Sequence, residues 1–258
     1  MEFSSRYSRQ VVINGFGEAG QKALAKGRVL IVGLGGLGNP AAQYLAAAGV
    51  GTIGLMDNDV VSPSNLNRQV LFRPDDTDRS KVKLAQERLS RFNPEIKILT
   101  FHQSLGEEST PEILRQFDIV LDCLDNFPDR LKLNQICLTH RRPMVHGGVI
   151  TFYGQLTTII PFVGPCLRCL SPRSIFTCDC ARLGVLGPVP GVIGVLQAIE
   201  AIKFLSGVGQ GMVGRLLVFD GLSGTFDEVP FKRDPGCPAC GEHRHEDQVI
   251  DKNNYKLD

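Results

Sequence analysis

A glycine-rich stretch directly after a short apolar segment constrains this chain more than any other feature. Residues 33–38 read GLGGLG, which has the spacing G-x-G-x-x-G. They follow Arg28–Val32, predicted to be a buried strand, and precede an alanine-rich segment at 40–49, predicted to be a helix. In that context the glycines permit a tight turn, and the free N–H groups of the helix bind phosphate. The pattern predicts a nucleotide site that includes Gly33, Gly35, Gly36 and Gly38.

Strand and helix signals alternate along the chain after this turn. In the first half they predict strands at 52–56, 96–101, 117–122 and 143–149 and helices at 81–92 and 130–138. Beyond Gly148 the pattern changes, with strands at 153–160 and 215–219, an apolar helix at 192–205 and a long irregular loop at 161–190. We therefore predict an α/β fold with a Rossmann-like, mainly parallel sheet, helices on both faces, and further strands added to it.

Length and composition favour one large domain. A chain of 258 residues with 43% hydrophobic content can bury a substantial core. We expect a single domain at 1–241, with a nucleotide-binding core at about 27–150 and a second part at about 151–241. The polar tail at 242–258 is expected to have no fixed structure.

Charge and hydropathy exclude two classes of partner. The chain has 28 basic and 27 acidic residues and no strongly basic stretch, which argues against binding nucleic acid. The N-terminus lacks the features of a secretory signal, and no apolar run reaches spanning length without a charged or polar interruption. We expect a cytoplasmic protein that does not associate with membranes.

Polar residues after the second predicted strand bear on which nucleotide binds. Asp57 follows the glycine turn by about 20 residues, where an acidic side chain usually binds ribose hydroxyls, and this pair alone would indicate NAD. Asp59, Asn65, Arg68 and Lys81 come soon afterwards. Arginine grips phosphate oxygens with two hydrogen bonds and lysine supplies a point charge. This set favours a triphosphate over a dinucleotide, although either cation alone would usually be a solvated surface residue.

A second acidic position lies at the end of another predicted strand. Asp122, Asp125 and Asn126 stand at the edge where parallel sheets bind their ligands. Asp125 is a candidate ligand of Mg²⁺ against the polyphosphate. Asn126 either supports the site or caps the next helix, and Asp122 is either part of the site or structural.

The eight cysteines include two CxxC pairs. Cys166 with Cys169 and Cys237 with Cys240 offer four thiolates to one tetrahedral Zn²⁺, a closed and therefore structural site that would pin the C-terminal segment. Two unrelated cysteine pairs are the alternative. Cys123 and Cys137 are expected to be small buried hydrophobic residues, with no other role.

Together these residues resemble the ThiF/MoeB/HesA family of ubiquitin-activating-enzyme-like adenylyltransferases, over residues 6–241. The motifs that carry the resemblance are RYSRQ at 6–10, GLGGLG at 33–38, DNDVVSPSNLNRQ at 57–69, SK at 80–81, LDCLDN at 121–126 and the paired CxxC elements. The resemblance implies that Asp57 binds ribose, that Asn65, Arg68 and Lys81 contact phosphates, and that Asp125 coordinates Mg²⁺.

The resemblance also implies a reaction and its partners. A small ubiquitin-like sulfur carrier ending in Gly-Gly attacks the α-phosphate of ATP with its terminal carboxylate, which gives an acyl-adenylate and pyrophosphate. Thiamin, molybdopterin and other sulfur-carrier routes use similar catalytic parts. The enzyme is expected to be a homodimer in which Arg9 reaches the partner subunit's ATP. Since the chain ends soon after Cys240, we expect a separate sulfur donor protein.

The sequence leaves three alternatives, which concern a loop cysteine, the class of enzyme and the class of protein. Cys180 resembles a loop cysteine that some members use covalently, but Cys178 beside it departs from the family's pattern, so either thiol or neither could act. An NAD-dependent oxidoreductase is the alternative enzyme, since it would share the glycine turn and Asp57. A non-catalytic scaffold that binds a ubiquitin-like protein is the alternative from another class.

Overall fold

Short apolar segments of this chain form the strands of one mixed sheet. In the computed structural model, which describes residues 5–170 and 183–241, the sheet has eight strands. They are β1 Arg28–Val32, β2 Thr52–Met56, β3 Lys97–Phe101, β4 Ile119–Asp122, β5 Met144–Ile150, β6 Tyr153–Ile159, β7 Arg215–Asp220 and β8 Thr225–Pro230. Their order across the sheet is β3-β2-β1-β4-β5-β6-β7-β8. The first five strands are parallel, and β6, β7 and β8 are antiparallel additions after β5.

Helices cover both faces of this sheet. They are α1 Ser8–Val11, α2 Gly17–Lys26, α3 Gly38–Ala48, α4 Lys81–Phe92, α5 Thr110–Arg115, α6 Phe127–Thr139, α7 Leu167–Leu170 and α8 Pro188–Ser206. One apolar core lies between the sheet and α3, α4 and α8, and a second lies between the sheet and α5, α6 and α7. The predicted Rossmann-like fold with helices on both faces is confirmed.

Two helix predictions and one loop prediction need correction. α6 begins at Phe127 rather than at residue 130, because the Asn126 side chain accepts a hydrogen bond from the N–H of Asp129 and starts the helix earlier. α8 begins at Pro188 rather than at residue 192, since proline is tolerated in a first helical turn. The predicted irregular loop at 161–190 therefore ends earlier, and it contains the short helix α7.

The long apolar helix α8 packs as part of the core. By length and composition alone it could span a membrane, and it is the one helix of the described residues that could. Its inner face is buried against the sheet, and Gln197 Nε2 donates to the carbonyls of Asp122 at 2.8 Å and Val145 at 3.1 Å. Because Gln197 binds the last residue of β4 and the neighbouring residue of β5, this helix is attached at the sheet edge where the candidate site lies.

Candidate functional site

The glycine turn between β1 and α3 is shaped by two close backbone contacts. Gly33 has a φ of +91°, and a Cβ atom there would lie 2.6 Å from the Cys123 carbonyl oxygen. A Cβ at Gly38 would lie only 2.0 Å from the carbonyl oxygen of Gly33. At Gly35 the nearest atom would be Gln69 Nε2, at 3.9 Å. The first two positions therefore require glycine for the turn itself, whereas Gly35 borders open space.

This difference predicts opposite outcomes for two alanine substitutions. Gly38→Ala is expected to lower the free energy of unfolding by on the order of 3 kcal/mol, because the turn must open to admit the methyl group. Gly35→Ala is expected to change it by less than about 1 kcal/mol, since no atom obstructs the methyl group. Urea unfolding of the two variants checks this, and equal stabilities would contradict the described turn.

A cation lies beside the turn. A Cβ at Gly36 would meet Arg68 Cδ at 3.2 Å and Pro190, in the first turn of α8, at 3.1 Å. Arg68 Nη1 donates to the Ser64 carbonyl and to Asn67 Oδ1, each at 2.9 Å. The aliphatic part of Arg68 thus packs beside the glycine turn, and its Nη1 is bound within its own loop.

Asn65 lies in the short helical turn just before Arg68. Its Oδ1 accepts a hydrogen bond from the Ser62 N–H at 3.2 Å and closes this turn. The Oδ1 atom of Asn65 therefore stabilises this turn.

Two acidic residues after β2 link the glycine turn to α4. Asp57 Oδ2 accepts from the Leu34 N–H at 2.6 Å, and its Oδ1 accepts from the Asp59 N–H at 2.7 Å. Asp59 Oδ2 in turn pairs with Lys81 Nζ at 2.9 Å. The Lys81 side chain is 5% exposed and that of Asp59 is 65% exposed. The structure thus brings Asp57, Asp59 and Lys81 together beside the turn.

Asp125 lies at the carboxyl end of β4, on the same edge of the sheet. It is exposed, and its only hydrogen bond among the described residues comes from Asn126 Nδ2, at 3.4 Å. Asn126 caps α6 by accepting from the Asp129 N–H at 3.0 Å. The carbonyl of Cys123, two residues before Asp125, contacts Gly33. Asp125 is therefore an exposed carboxylate with one long hydrogen bond, two residues from a contact of the turn, whereas Asn126 serves as the helix cap.

Asp122, His146 and Gln155 form a buried series of hydrogen bonds next to the loop that leads to Asp125. The sequence did not predict these contacts. Asp122 Oδ2 and His146 Nδ1 are 2.7 Å apart, and both side chains are fully buried. His146 Nε2 is 3.1 Å from Gln155 Nε2, and Asp122 Oδ1 accepts from the Leu124 N–H at 3.2 Å. Asp122 is thus structural, and it shapes the loop to Asp125. Only the pairing of β4 with β5, which sets Asp122 opposite His146, could have revealed this contact.

The surroundings keep His146 neutral. Burial lowers the pKa of His146 below its usual value, and the hydrogen bond that its ring donates to the Asp122 carboxylate offsets only part of that effect. A neutral ring with the proton on Nδ1 donates to Asp122 and accepts from Gln155, so both contacts are satisfied.

The lowered pKa of His146 predicts a pH dependence of stability. The unfolded chain takes up a proton near pH 6.5, while the folded chain resists it, so this contribution to stability is lost as the pH falls below about 6.5. As the pH falls from neutral to mildly acidic, the free energy of unfolding of the wild type should therefore approach that of His146→Asn. Urea unfolding across that range tests this, with the exposed His102→Asn as control. A difference that stays constant with pH would contradict it.

The four predicted zinc ligands form one cluster. The Sγ atoms of Cys166, Cys169, Cys237 and Cys240 all lie within 4.8 Å of one another. The shortest separations are 3.4, 3.8 and 3.9 Å. A Zn–S bond of about 2.3 Å in a tetrahedral site implies ~3.8 Å between sulfurs, so the cluster fits Zn²⁺. Burial raises the pKa of Cys169 to about 11, so without a metal this thiol keeps its proton at neutral pH.

The remaining predicted residues lie apart or outside the described chain. Arg9 is exposed on α1 and makes no hydrogen bond or ion pair with the glycine-turn residues described here. Cys178 and Cys180 lie in the stretch 171–182, outside the residues that the structure describes, as does the tail at 242–258. Cys123 and Cys137 are buried among apolar residues, as predicted, and Cys123 Sγ also donates to Gln197 Oε1 at 3.4 Å.

Comparisons with known proteins agree on one family. The ThiF family matches residues 7–239. The chain is 44% identical over 238 residues to the sulfur carrier protein ThiS adenylyltransferase of Escherichia coli K12, covering 92% of this chain and 94% of that protein. It is 39% identical over 254 residues to the sulfur carrier protein adenylyltransferase of Thermus thermophilus, with coverages of 95% and 94%.

A third relative and a solved structure extend this likeness. The SAMP-activating enzyme E1 of Haloferax volcanii is 43% identical over 240 residues, covering 92% of this chain and 88% of that protein. The crystal structure of Escherichia coli MccB with ATP has a TM-score of 0.81 at 24% identity and covers 93% of this chain and 75% of that one. That structure supports the fold alone. From its family match and its relatives, this chain belongs to the ThiF family.

Proposed function

We propose that this chain uses ATP to adenylylate the C-terminal glycine carboxylate of a small ubiquitin-like sulfur carrier and releases pyrophosphate. Two of its relatives are named as adenylyltransferases of sulfur carrier proteins. The observation that carries the proposal is the placement of Arg68 against Gly36 of the glycine turn. A cation there suits a triphosphate, and it argues for ATP over the dinucleotide of an oxidoreductase.

The chain's own groups suffice to hold the nucleotide. Asp57 is proposed to bind the ribose, since each of its oxygens keeps a lone pair beyond the bonds to Leu34 and Asp59. The N–H groups at the start of α3 face the phosphates. Only Nη1 of Arg68 is engaged among the described residues, so its other donors remain for phosphate oxygens. Lys81, held in place by Asp59, adds a buried positive charge.

The reaction needs positioning and charge stabilisation rather than a protein nucleophile. A carboxylate oxygen of the carrier forms a bond to the α-phosphorus, and the bond between the α-phosphorus and the bridging oxygen breaks as pyrophosphate leaves. Arg68, Lys81 and the amide of Asn65 stabilise the growing negative charge. Asp125 would hold Mg²⁺, which when bound would neutralise part of the charge on the phosphates.

We further propose the partners that complete this activity. The enzyme acts as a homodimer in the cytoplasm, and Arg9 of each subunit serves the other subunit's ATP. Zn²⁺ at the four cysteines joins the C-terminal segment to α7. A separate protein donates the sulfur, and Cys180 is a candidate for a covalent step in its transfer.

Exchange of labelled pyrophosphate into ATP tests the proposal. We expect exchange when the chain is mixed with a carrier ending in Gly-Gly, and none when the carrier's terminal carboxylate is amidated, because the attacking oxygen is then lost. No exchange with a panel of such carriers, together with NADH-linked turnover, would favour the oxidoreductase instead.

A further inference from the structure

Tyr7 and Gln10 lie on either side of Arg9 and have no role in the proposed function, although both form hydrogen bonds. Tyr7 is 5% exposed, and the Gln10 side chain is partly buried, while Arg9 between them is exposed. Gln10 donates to the last carbonyl of α3 and the Tyr7 ring packs on Gly49, which ends this helix, while the glycine turn lies at its N-terminal end. The segment that carries Arg9 is therefore attached to the helix that shapes the nucleotide site.

Gln10 binds the carbonyl of the last residue of α3. Its Nε2 donates to the Ala48 carbonyl at 3.0 Å and to Gln21 Oε1 at 2.6 Å. Gln21, fully buried on α2, donates to the same carbonyl at 3.0 Å. The last carbonyls of a helix have no partner within it, so these two amides stabilise the end of α3 and fix α1 there.

Tyr7 makes a second attachment at the same helix end. Its hydroxyl oxygen accepts from Asn93 Nδ2 at 2.9 Å, and the same nitrogen donates to the Ala46 carbonyl at 2.7 Å. Its ring lies over Gly49, where a Cβ atom would come within 2.6 Å of it. Gly49 has a φ of +83°, so glycine both ends the helix and admits the ring.

This attachment places Arg9 near the C-terminal end of α3, whereas its own glycine turn lies at the N-terminal end. The 11 residues of α3 span roughly 15 Å, which is longer than an arginine side chain. Beyond Arg9, Val12 and Ile13 are 74% and 54% exposed, an apolar surface that a second subunit would cover. Arg9 is thus placed to act on another copy of the chain.

We propose that Tyr7 and Gln10 are positioning residues that hold Arg9 for the ATP of the partner subunit. The inference rests on the proposed function, and its new part is the role of the two flanking side chains. Loss of either anchor weakens the attachment of α1 to α3, so the subunit that carries the substitution keeps its own site and impairs its partner's.

Mixed dimers test this directly. One subunit carries Asp125→Ala, so only the other subunit has a working site, and that site depends on Arg9 of the first. Gln10→Met preserves the length of the side chain and removes its donor. When Gln10→Met is on the subunit with the inactive site, we expect pyrophosphate exchange to fall by on the order of 10- to 100-fold. On the subunit with the working site, we expect little change.

Tyr7→Phe, which keeps the ring and removes only the hydroxyl, should give a weaker effect with the same asymmetry. The exposed Gln116→Met is the matched control and should have no effect in either subunit. A merely structural role would reduce exchange most when Gln10→Met and the working site share a subunit, and that result would overturn the inference. So would full activity with Arg9→Ala beside the inactive site. Failure of the unsubstituted dimer to exchange would instead refute the proposed function, and with it this inference.

Discussion

Replacing Asp125 with asparagine is expected to lower carrier-dependent pyrophosphate exchange by on the order of 100- to 1,000-fold. The Asp125 carboxylate is exposed at the end of β4 and lies two residues from Cys123, whose carbonyl packs on Gly33. Asparagine has the same shape but no charge, so it binds Mg²⁺ poorly and leaves the negative charge of the phosphates without compensation. Initial rates with saturating carrier and ATP measure the loss.

The control separates chemistry from folding. Glu18→Gln removes an exposed carboxylate that pairs with Lys22 at 3.1 Å on α2, and it should leave exchange unchanged. Both variants should unfold at the wild-type urea concentration, because Asn126 still caps α6 in each. Exchange at the wild-type rate in Asp125→Asn would show that this carboxylate has no part in the reaction.

The second large effect concerns the cluster of four cysteines. Cys237→Ser is expected to abolish stoichiometric zinc binding and to lower the free energy of unfolding by several kcal/mol, since the metal's binding energy contributes directly to folding. The cluster joins the residues after β8 to α7, and Asp234 N–H donates to Cys169 Sγ at 3.5 Å. Without the metal, the described C-terminal segment loses its main attachment there.

Cys137→Ala is the matched control for this substitution. Cys137 is buried in the same core but lies outside the cluster, so we expect it to keep one zinc per chain and to lose less stability. Elemental analysis and urea unfolding, each with and without a chelator, check both variants. Equal zinc content in Cys237→Ser and wild type would rule out the four-cysteine site.

Much of the parallel part of the sheet is predictable from local sequence. The strands Arg28–Val32 and Thr52–Met56 and the helix Lys81–Phe92 have the predicted bounds. Each has an apolar pattern of the right period and a turn or polar boundary at its ends. β8 was not predicted from the sequence. All six of its residues are exposed, so it has no buried face to produce an alternating apolar pattern. The short helices α1, α2 and α5 were also not predicted.

The candidate site is predictable where its residues follow the ends of strands. Asp57 and Asp125 lie at such positions, and the parallel topology brings them to one edge. The contact of His146 with Asp122 and the bonds of Gln197 to the sheet depend on pairings between distant segments, which local patterns do not reveal. The role proposed for Arg9 rests on the family resemblance, because it concerns a second copy of the chain.

A crystal structure of the chain with a non-hydrolysable ATP analogue tests most directly whether the glycine turn holds ATP for attack at its α-phosphorus. We expect the ribose on Asp57, the phosphates at the start of α3 between Arg68 and Lys81, and the α-phosphorus open to solvent on the side where a carboxylate would enter. An empty glycine turn with the nucleotide bound elsewhere, or an α-phosphorus enclosed by protein, would contradict the proposed adenylylation.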